Sequence, residues 1–571
     1  MLHYYSNINQ YARGLKPVDK LFTNLKMINT FSGEIYETQI AVANGRFAGF
    51  GDYDAKEIID LEGAYVAPGL IDAHIHIEST LLSISNFAKA VVPLGTTSII
   101  ADPHEFANVL GIKGIDYLLD PPEDLPLDIY VMAPSCVPAT GFETSGAVIS
   151  AKDLKMIIDH PNLVGLAEVM NYPGVIFEDP ELLKKIDLFR GRPIDGHAPM
   201  VCGKDLATYI ASGISSEHEA TNIEEAKQKL RMGMHIHLRE GSTEKNLRTL
   251  LPLVNAKNAS NFSFATDDRH PASLINEGHI DNNLRLAIEN GLDPVLAFQI
   301  ASTNTARFYN LPYAGAFVPG FIADFIVFDD TENVRVKSVY KEGRHVAKDG
   351  EILVNFGETI EEDMTDTIRF AQIDKESFKI DAEGKKIRVI EIIPDQILTK
   401  EKIVDASIED EVARADIDRD ILKLAVIERH NVTGNIGLGF VSGFGLKKGA
   451  IASSVGHDSH NITIVGTNDD DMLEAALQLN DIEGGYVVVA DGEVLAEIAL
   501  PIAGLVSRKE LHNVKDMLDE VHKAAQLLGC RLDEPFSIMS FLPLTPVPEL
   551  RLTDKGLFDV KNFKMTEIFV K

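Results

Sequence analysis

His74 and His76 are the first residues in the chain whose type and spacing could do chemistry. They stand two apart in the segment Ala67–Thr80, which reads APGLIDAHIHIEST. In a strand, side chains two residues apart leave the same face, so both imidazoles would point the same way. Paired imidazoles suit a divalent transition metal. An isolated pair also fits the wet face of a strand with no metal, so the two histidines alone do not decide between these interpretations.

Downstream, several other predicted strands also end in a histidine or a carboxylate. The segments and their polar residues are GLAEVMN with Glu168, DGHAP with His197, SSEHEA with His218, and FATDDRHP with Asp267 and Asp268. If these strand ends share one mouth, imidazoles and carboxylates converge there. Such a ligand set can hold two closely spaced metal ions that activate a water molecule. We therefore expect two divalent transition-metal ions, and His, Glu and Asp ligands accept Mn²⁺, Fe²⁺ or Zn²⁺ without deciding among them.

Other polar segments are weaker candidates for the same mouth, and each has a plainer interpretation. His104 and Glu105 in ADPHE could contact the substrate or a further cation, or merely cap a loop. Arg239 and Glu240 in HLREGS could bind substrate and protonate it, or form a structural ion pair. The segment GHDSHN could reach over the mouth, bind a metal or form a polar turn; its candidates are His457, Asp458 and His460. By contrast, His235 and His237 are expected to line or flank the barrel without binding metal.

The elements that position these residues alternate between short apolar strands and helix-like stretches. The candidate strands are Tyr65–Ile77, Thr97–Ala101, Asp128–Ala133, Leu163–Glu168, Pro193–Gly196, Ile214–Glu217, His235–Leu238 and Phe262–Thr266. Helix-like stretches between them include Asp153–His160, Glu181–Phe189 and Glu224–Arg231. Eight such units predict an α/β fold, a (β/α)₈ TIM-like barrel over residues 66–310. An open doubly wound sheet would need a glycine-rich turn after its first strand, where this chain has HIHIEST.

Three further regions surround the predicted barrel. Residues 1–65 and 311–350 carry alternating apolar segments broken by Gly and Asn, so we expect them to pair into a small β-sandwich side domain. Residues 351–385 are polar and are interpreted as a linker or excursion. From 386 to 571 strands and helices alternate again, in segments such as IRVIEII, IGLGFVSG, NITIVGT and YVVVADGEV. This part is predicted to be a separate C-terminal α/β domain.

Composition limits the partners and the compartment. The 571 residues carry a net charge of −32 from 54 basic and 86 acidic side chains, which disfavours binding to nucleic acid or to anionic membranes. The three cysteines are far apart and cannot form a disulfide framework. The start of the chain lacks a signal-peptide pattern, and no apolar run is long enough to span a bilayer. We expect a cytoplasmic protein with a small-molecule substrate.

These segments together resemble the amidohydrolase superfamily, whose members share the order H-x-H, a ligand on the fourth strand, His, His, Asp. Longer strings such as HIHIEST, ADPHEFANVLG, GLAEVMNYPGV, TDDRHP, SVGHDSHNI and LPIAGLVS resemble the adenine deaminase family over nearly the whole chain. Many superfamily members carry a carboxylated lysine where this chain has Glu168. The metal ligands that the resemblance implies are His74, His76, Glu168, His197, His218 and Asp267.

The resemblance also implies an activity: the deamination of adenine to hypoxanthine and ammonia by metal-activated hydroxide attack at C6, in purine salvage or catabolism. Asp267 and Glu168, with Glu240, would be catalytic, and Asp268 would face the substrate, with the reverse assignment of the two aspartates left open. A chain of this class is expected to be a homo-oligomer, such as a dimer. The alternative is another amidohydrolase that acts on a cyclic amide or on a different 6-aminopurine.

Overall fold

The computed structural model describes residues 8–360, 362–393 and 396–570; the first seven residues of the predicted side domain lie outside this range. Four strands precede the barrel. They are β1 (Val18–Asn29), β2 (Glu34–Ala43), β3 (Arg46–Phe50) and β4 (Ala55–Pro68). β1 pairs with β2 antiparallel and with β4 parallel, so this segment forms one half of a mixed sheet.

The middle of the chain forms the predicted eight-stranded parallel barrel. Its strands are β5 (Leu70–His76), β6 (Thr96–Ala101), β7 (Asp128–Ala133), β8 (Leu163–Val169), β9 (Ile194–Gly196), β10 (Ser216–Glu217), β11 (His235–Arg239) and β12 (Phe262–Ala265), followed by the short β13 (Asp267–Asp268). The amide of Ser215 donates to the carbonyl of Ile194 at 2.8 Å and joins the end of one run of strands to the start of the next. The barrel closes because β13, which directly follows β12, pairs in parallel with β5.

The first predicted barrel strand, Tyr65–Ile77, is two strands in the structure. Its first residues finish β4 in the side sheet, and the barrel strand starts only at Leu70. Between them, a Cβ atom on Gly69 would lie 2.1 Å from Oγ1 of Thr97. Only glycine lets the backbone pass so close to the neighbouring strand, and the chain crosses from one sheet to the other at this point.

The segments on either side of the barrel pair into one sheet, as predicted. After the barrel come β14 (Phe325–Phe328), β15 (Val336–Lys341), β16 (Arg344–Lys348) and β17 (Glu351–Ile352). β14 pairs with β4, giving the eight-stranded order β17-β16-β15-β14-β4-β1-β2-β3. Because β17 belongs to this sheet, the side domain extends two residues into the segment predicted as a linker.

An aromatic core shows that this sheet folds over itself. Phe22 lies opposite Ile59 of β4, and Phe325 lies opposite Pro68 of the same strand. A straight strand would separate those two positions by roughly 30 Å. The rings of Phe22 and Phe325 are nevertheless 5.0 Å apart, so β4 bends and its two ends lie in opposing layers. This geometry agrees with the predicted sandwich.

Helices cover the outside of the barrel. They are Ile84–Val91, His104–Leu110, Ile112–Leu119, Ala151–Ile157, Tyr172–Ile176, Pro180–Leu188, Gly203–Ala211, Ile223–Arg231, Leu247–Leu250, Pro271–Asn276, Ile280–Glu289, Pro294–Phe298 and Asn304–Phe308. The three helices predicted by name are present and start one or two residues earlier than expected. Their starts are set by the N-cap side chains of Ser150, Asp179 and Asn222, each of which accepts a hydrogen bond from the first turn.

The C-terminal domain is built on a second eight-stranded mixed sheet, with the order β19-β18-β23-β22-β25-β24-β26-β27. Its strands are β18 (Lys386–Ile392), β19 (Thr399–Asp405), β20 (Ser407–Glu409), β21 (Val412–Arg414), β22 (Leu422–Ile427), β23 (Ile436–Ser442), β24 (Ala450–Ser453), β25 (Ile462–Gly466), β26 (Gly485–Ala490), β27 (Glu493–Ala499), β28 (Leu550–Thr553), β29 (Gly556–Asp559) and β30 (Lys564–Thr566), of which β20–β21 and β28–β30 form two small separate sheets. Its helices are Asp469–Asp481, Leu511–Leu527 and Pro535–Ser540.

Both faces of this second sheet are buried. Ala425 and Ile427 of β22 share a core with the helix Asp469–Asp481, while Leu424 and Val426 belong to the core shared with the barrel. This alternation within one strand is expected when a sheet is covered on both sides. No helix among the described residues is long and apolar enough to span a membrane.

Candidate metal centre and active site

His74 and His76 lie buried at the carboxyl end of β5 with their ring nitrogens facing one another. The two Nε2 atoms are 3.2 Å apart. Oδ1 of Asp267 lies 3.5 Å from Nε2 of His74 and 3.2 Å from Nε2 of His76. Asp267 has a φ of +58°, in the left-handed region that aspartate tolerates better than most residues. The three side chains therefore surround one point at the mouth of the barrel.

Glu168, at the end of β8, turns its two carboxylate oxygens towards two different groups. Oε1 lies 3.7 Å from Nε2 of His76. Oε2 lies 2.7 Å from Nδ1 of His197 and 3.1 Å from Nε2 of His218. The carboxylate thus stands between two sets of potential ligands, which is the position of a bridging ligand for a metal pair. All six predicted ligands are brought together in this way.

The donor set fits two divalent transition metals. Ligand atoms of His74, His76 and Asp267 lie within 4.8 Å of one another, and so do those of Glu168, His197 and His218. Both ring nitrogens of His218 are buried, and neither makes a hydrogen bond of good geometry with any described residue. A cation would satisfy such a nitrogen. Imidazole and carboxylate together suit Mn, Fe or Zn better than the all-oxygen sets that bind Mg or Ca.

The carboxylate of Asp195 lies behind two of these histidines. Its Oδ2 lies 2.9 Å from Nδ1 of His74 and 3.4 Å from Nδ1 of His218. A carboxylate on the far nitrogen fixes the orientation of an imidazole and leaves the other nitrogen for a metal. Asp195 was not among the predicted site residues. It lies on β9 two residues before His197, so the alternation of the strand indicates that both side chains face the barrel axis.

Charges within the cluster are closely balanced. Burial and His218 lower the pKa of His74, but hydrogen bonds to Asp195 and Asp267 raise it to about 10. Burial opposes ionisation of Glu168, yet His197 and His218 hold its pKa well below the usual range. The acids are therefore ionised and the histidines attract protons, so a metal that binds here must displace protons.

Arg239, predicted to contact substrate, holds Asp267 in place. Its Nη1 lies 2.5 Å from Oδ2 of Asp267 and 2.6 Å from Oε1 of Glu219, and its Nη2 lies 3.0 Å from Oε2 of Glu219. Burial opposes ionisation, but Arg239, His74 and His76 hold the pKa of Asp267 well below the usual range. The alternative role predicted from the sequence was an ion pair between Arg239 and Glu240. Arg239 does form ion pairs, but its partners are Asp267 and Glu219.

Glu240, predicted to be catalytic, does not point into the site. Its side chain lines a separate pocket with Lys245 and Arg248, and burial raises its pKa. Glu240 follows the last residue of β11 and pairs with Lys245 in an isolated bridge. The acid that does line the site is Glu244, five residues after Arg239, whose pKa is raised by burial although Arg239 lowers it.

The C-terminal domain reaches the mouth through the segment GHDSHN. Nδ1 of His457 lies 2.5 Å from Oε1 of Glu105, and His460 contacts the other oxygen of Glu105. His104 lies beside them, with Nε2 3.5 Å from Oε1 of Glu105. Asp458 lines the same pocket as the metal cluster. The candidates from the two domains are therefore brought together as one group.

The pocket has one polar and one apolar side. Asp268 lies at its edge, where it accepts a hydrogen bond from the hydroxyl of Ser79. The apolar side combines one barrel residue with C-terminal residues: Met170, Ile397, Phe541, Leu544, Pro546 and Val547. Phe541 stacks on His457 with ring centroids 4.8 Å apart. Such a pocket suits a small, flat ligand with polar groups along one edge.

His235 and His237 lie deeper in the barrel. Nε2 of His235 is 2.8 Å from the hydroxyl of Ser263, and its ring stacks on Phe308 at 4.3 Å. Nε2 of His237 is 3.1 Å from the hydroxyl of Tyr309. Burial lowers the pKa of His237 to about 4, so its imidazole is neutral. These contacts agree with the expected structural role.

Comparison with known proteins identifies first the class and then the family. Residues 65–346 match the family model described as Amidohydrolase family, a range that covers the barrel and the side-domain strands β14 and β15. The chain is therefore a member of the amidohydrolase class. Residues 396–564 match the model described as Adenine deaminase C-terminal domain.

Relatives that match over nearly the whole chain identify the family. The chain is 46% identical over 564 residues to the adenine deaminase of Kosmotoga olearia, and 45% identical over 560 residues to adenine deaminase 2 of Carboxydothermus hydrogenoformans. It is 47% identical over 561 residues to an adenine deaminase of Dehalococcoides mccartyi. Each match covers 98% of both chains. The chain belongs to the adenine deaminase family, as its motifs indicated.

Proposed function

We propose that this protein deaminates adenine hydrolytically to hypoxanthine and ammonia. The observation that carries the proposal is Glu168, whose two oxygens face two separate groups of ligands at the mouth of the barrel. Family membership over the full length supports adenine as the substrate. The half-apolar pocket beside the cluster accords with a flat purine ring.

The metal pair would be held by the six predicted ligands. His74, His76 and Asp267 would hold one ion and His197 with His218 the other, and Glu168 would bridge them. When bound, such a pair supplies Lewis acidity that generates a strong nucleophile from water near neutral pH. Asp195 would keep two of the imidazoles turned to the ions.

Asp267 would accept the proton of the attacking water and pass it towards the leaving amine. Its carboxylate is ionised and points into the pocket, and the ion pair with Arg239 keeps it there. Arg239 in this role is a positioning residue. Asp268, held by Ser79, would accept a hydrogen bond from the purine, at the position of N7.

Glu244 takes the place of Glu240 as the proton donor to a ring nitrogen. Its carboxyl group lines the pocket, and burial raises its pKa, which favours the protonated form. General acids work best when their pKa lies near the working pH. Glu240 lines a different pocket and is given no role in this proposal.

Metal-dependent turnover tests the proposal directly. Protein stripped of metal and refilled with Mn²⁺, Fe²⁺ or Zn²⁺ should convert adenine, followed by the loss of its ultraviolet absorbance. His74→Ala and Asp267→Asn should abolish the reaction, whereas Glu240→Gln, a buried carboxylate outside the site, should leave it nearly intact. If the refilled wild type binds two metals but leaves adenine unchanged, the substrate is wrong, and cyclic amides and other 6-aminopurines become the next compounds to assay.

The cellular metal, the oligomeric state, the location and the physiological role are further parts of the proposal, and each can be measured. We expect Mn²⁺ or Fe²⁺ to be the cellular metal, which metal analysis of the protein from its native source would test. The expected dimer calls for light scattering, and a cytoplasmic location calls for cell fractionation. A role in purine salvage or catabolism predicts that cells lacking the protein lose the ability to grow on adenine as a purine source.

A further inference from the structure

A second cluster of metal-binding side chains lies between the barrel and the C-terminal domain. His104 and Glu105 come from the start of the helix His104–Leu110 after β6, and Asp458 and His460 come from the loop after β24. All four side chains are buried. The proposed metal pair uses none of them, and the loop joins two domains that are far apart in the sequence.

Three ligand atoms in this cluster surround a common point. Nε2 of His104 lies 3.5 Å from Oε1 of Glu105 and 3.9 Å from Oδ1 of Asp458, and the ligand atoms of all three residues lie within 4.8 Å of one another. These distances are too long for good hydrogen bonds. They match the spacing of ligands that share one cation at roughly 2.0–2.2 Å.

Two further observations support a ligand in this cluster. Oδ2 of Asp458 is buried and has no hydrogen-bond partner among residues 8–360, 362–393 and 396–570. Nδ1 of His104 lies 3.1 Å from Oδ1 of Asp102, so the imidazole turns its other nitrogen towards Glu105 and Asp458. This is the arrangement in which an outer carboxylate orients a metal-binding histidine.

Among the described residues, Asp458 has a single ion-pair contact, and it is a long one. Glu105 is in contact with His457 and His460 on its two oxygens. The charged neighbour nearest to Asp458 is His104, at 3.9 Å. A buried carboxylate without a close partner is costly, and a cation would remove that cost.

We propose that His104, Glu105 and Asp458 bind a third divalent transition-metal ion, separate from the pair at Glu168. Imidazole with two carboxylates suits Mn²⁺, Fe²⁺ or Zn²⁺. Because its ligands come from both domains, this ion ties the C-terminal domain to the barrel mouth. The site goes beyond the proposed deamination and does not depend on adenine as the substrate.

Metal counting tests the site. The full chain, stripped with a chelator and dialysed against Mn²⁺, should hold three manganese ions per chain by mass spectrometry. Crystals of this form, measured at the manganese absorption edge, should show a third anomalous peak among His104, Glu105 and Asp458. Asp458→Asn should hold two ions and keep both peaks at Glu168. The third equivalent of Mn²⁺ should raise the Tm of the wild type and leave that of Asp458→Asn unchanged.

Asp554→Asn is the matched control, because Asp554 is a buried aspartate at the same domain boundary, where it accepts a hydrogen bond from the amide of Thr144. This variant should keep three ions. A wild type that holds only two ions, or an Asp458→Asn that still holds three, overturns the proposal. Loss of the third ion in Asp554→Asn as well would assign the effect to a loosened boundary and would overturn it too.

Discussion

The barrel mouth and the C-terminal residues that line the pocket above it, which we call the cover (Ile397, His457, Asp458, Phe541, Leu544, Pro546 and Val547), contribute to one site by different means. In the barrel, every proposed ligand of the metal pair lies at or just after the carboxyl end of a strand, where its direction follows from strand alternation and parallel order. In the cover, His457, Asp458 and Phe541 lie outside the strands and helices, and their positions depend on how the domain docks. The comparison shows that the proposed metal ligands stand on the barrel strands or directly after them, while most of the apolar lining of the pocket comes from the second domain.

The largest effect is expected from the bridging ligand. Glu168→Gln removes the charge shared by both halves of the cluster, so the protein should bind fewer than two ions and lose adenine turnover by about 10³-fold or more, as several kcal/mol of transition-state stabilisation would disappear. Metal analysis and a spectrophotometric assay on the same sample check this. Normal turnover in Glu168→Gln would show that this barrel carboxylate is not needed for the reaction, and would contradict the assignment of the reactive groups to the barrel.

The next effect separates two acids near one strand. Glu244→Gln should lower kcat/KM by about 10²-fold or more, because it removes a general acid, while Glu240→Gln should change it little. In the wild type, activity that needs protonated Glu244 should fall as the pH rises through its pKa. Burial raises that pKa above the ordinary value, so the active range extends upward. The pH profile of Glu244→Gln should lack this alkaline limb, and an unchanged limb would contradict the assignment.

A smaller effect is expected behind the ligands. Asp195→Asn weakens the orientation of His74 and His218 and should lower metal affinity or activity by roughly 10- to 100-fold. Titration of stripped protein with Mn²⁺ measures the affinity. Because a merely structural role would lower stability without changing affinity, thermal unfolding of the stripped protein should be compared in parallel. Equal affinity in the variant and the wild type would rule out the positioning role.

The smallest effect is expected from the cover. Leu544→Ala trims the apolar side of the pocket and should raise KM for adenine by roughly tenfold with little change in kcat, since the lost contact serves ground state and transition state alike. Leu495→Ala, at an exposed leucine on β27, is the matched control. A fall in kcat in place of the rise in KM would show that the cover takes part in the chemistry.

Most of the site could be predicted from sequence because it follows the strands. His74, His76, Glu168, His197 and His218 lie at or next to predicted strand ends, and parallel strands bring their ends to one edge. Glu240, by contrast, lies outside the pocket that most of the other candidates line.

Other parts needed the fold. Glu219 and Glu244 lie in loops, where the sequence has no strand or helix periodicity that would indicate which way a side chain points. The contact of Glu219 with Arg239 and the position of Glu244 in the pocket were therefore not predictable. The split between β4 and β5 depends on one close approach, between Gly69 and Thr97. Nothing in the local sequence distinguishes that glycine from one in an ordinary turn.

The sequence by itself determined the barrel, the order of the proposed ligands along it and the family, because hydrophobic periodicity and residue type are local properties. Only the tertiary structure decided that Asp195 lies behind two histidines, that Arg239 holds Asp267, and that the segment GHDSHN meets Glu105 across the domain boundary. Such contacts join residues far apart in the chain. Their geometry is set by how the barrel and the C-terminal sheet pack together.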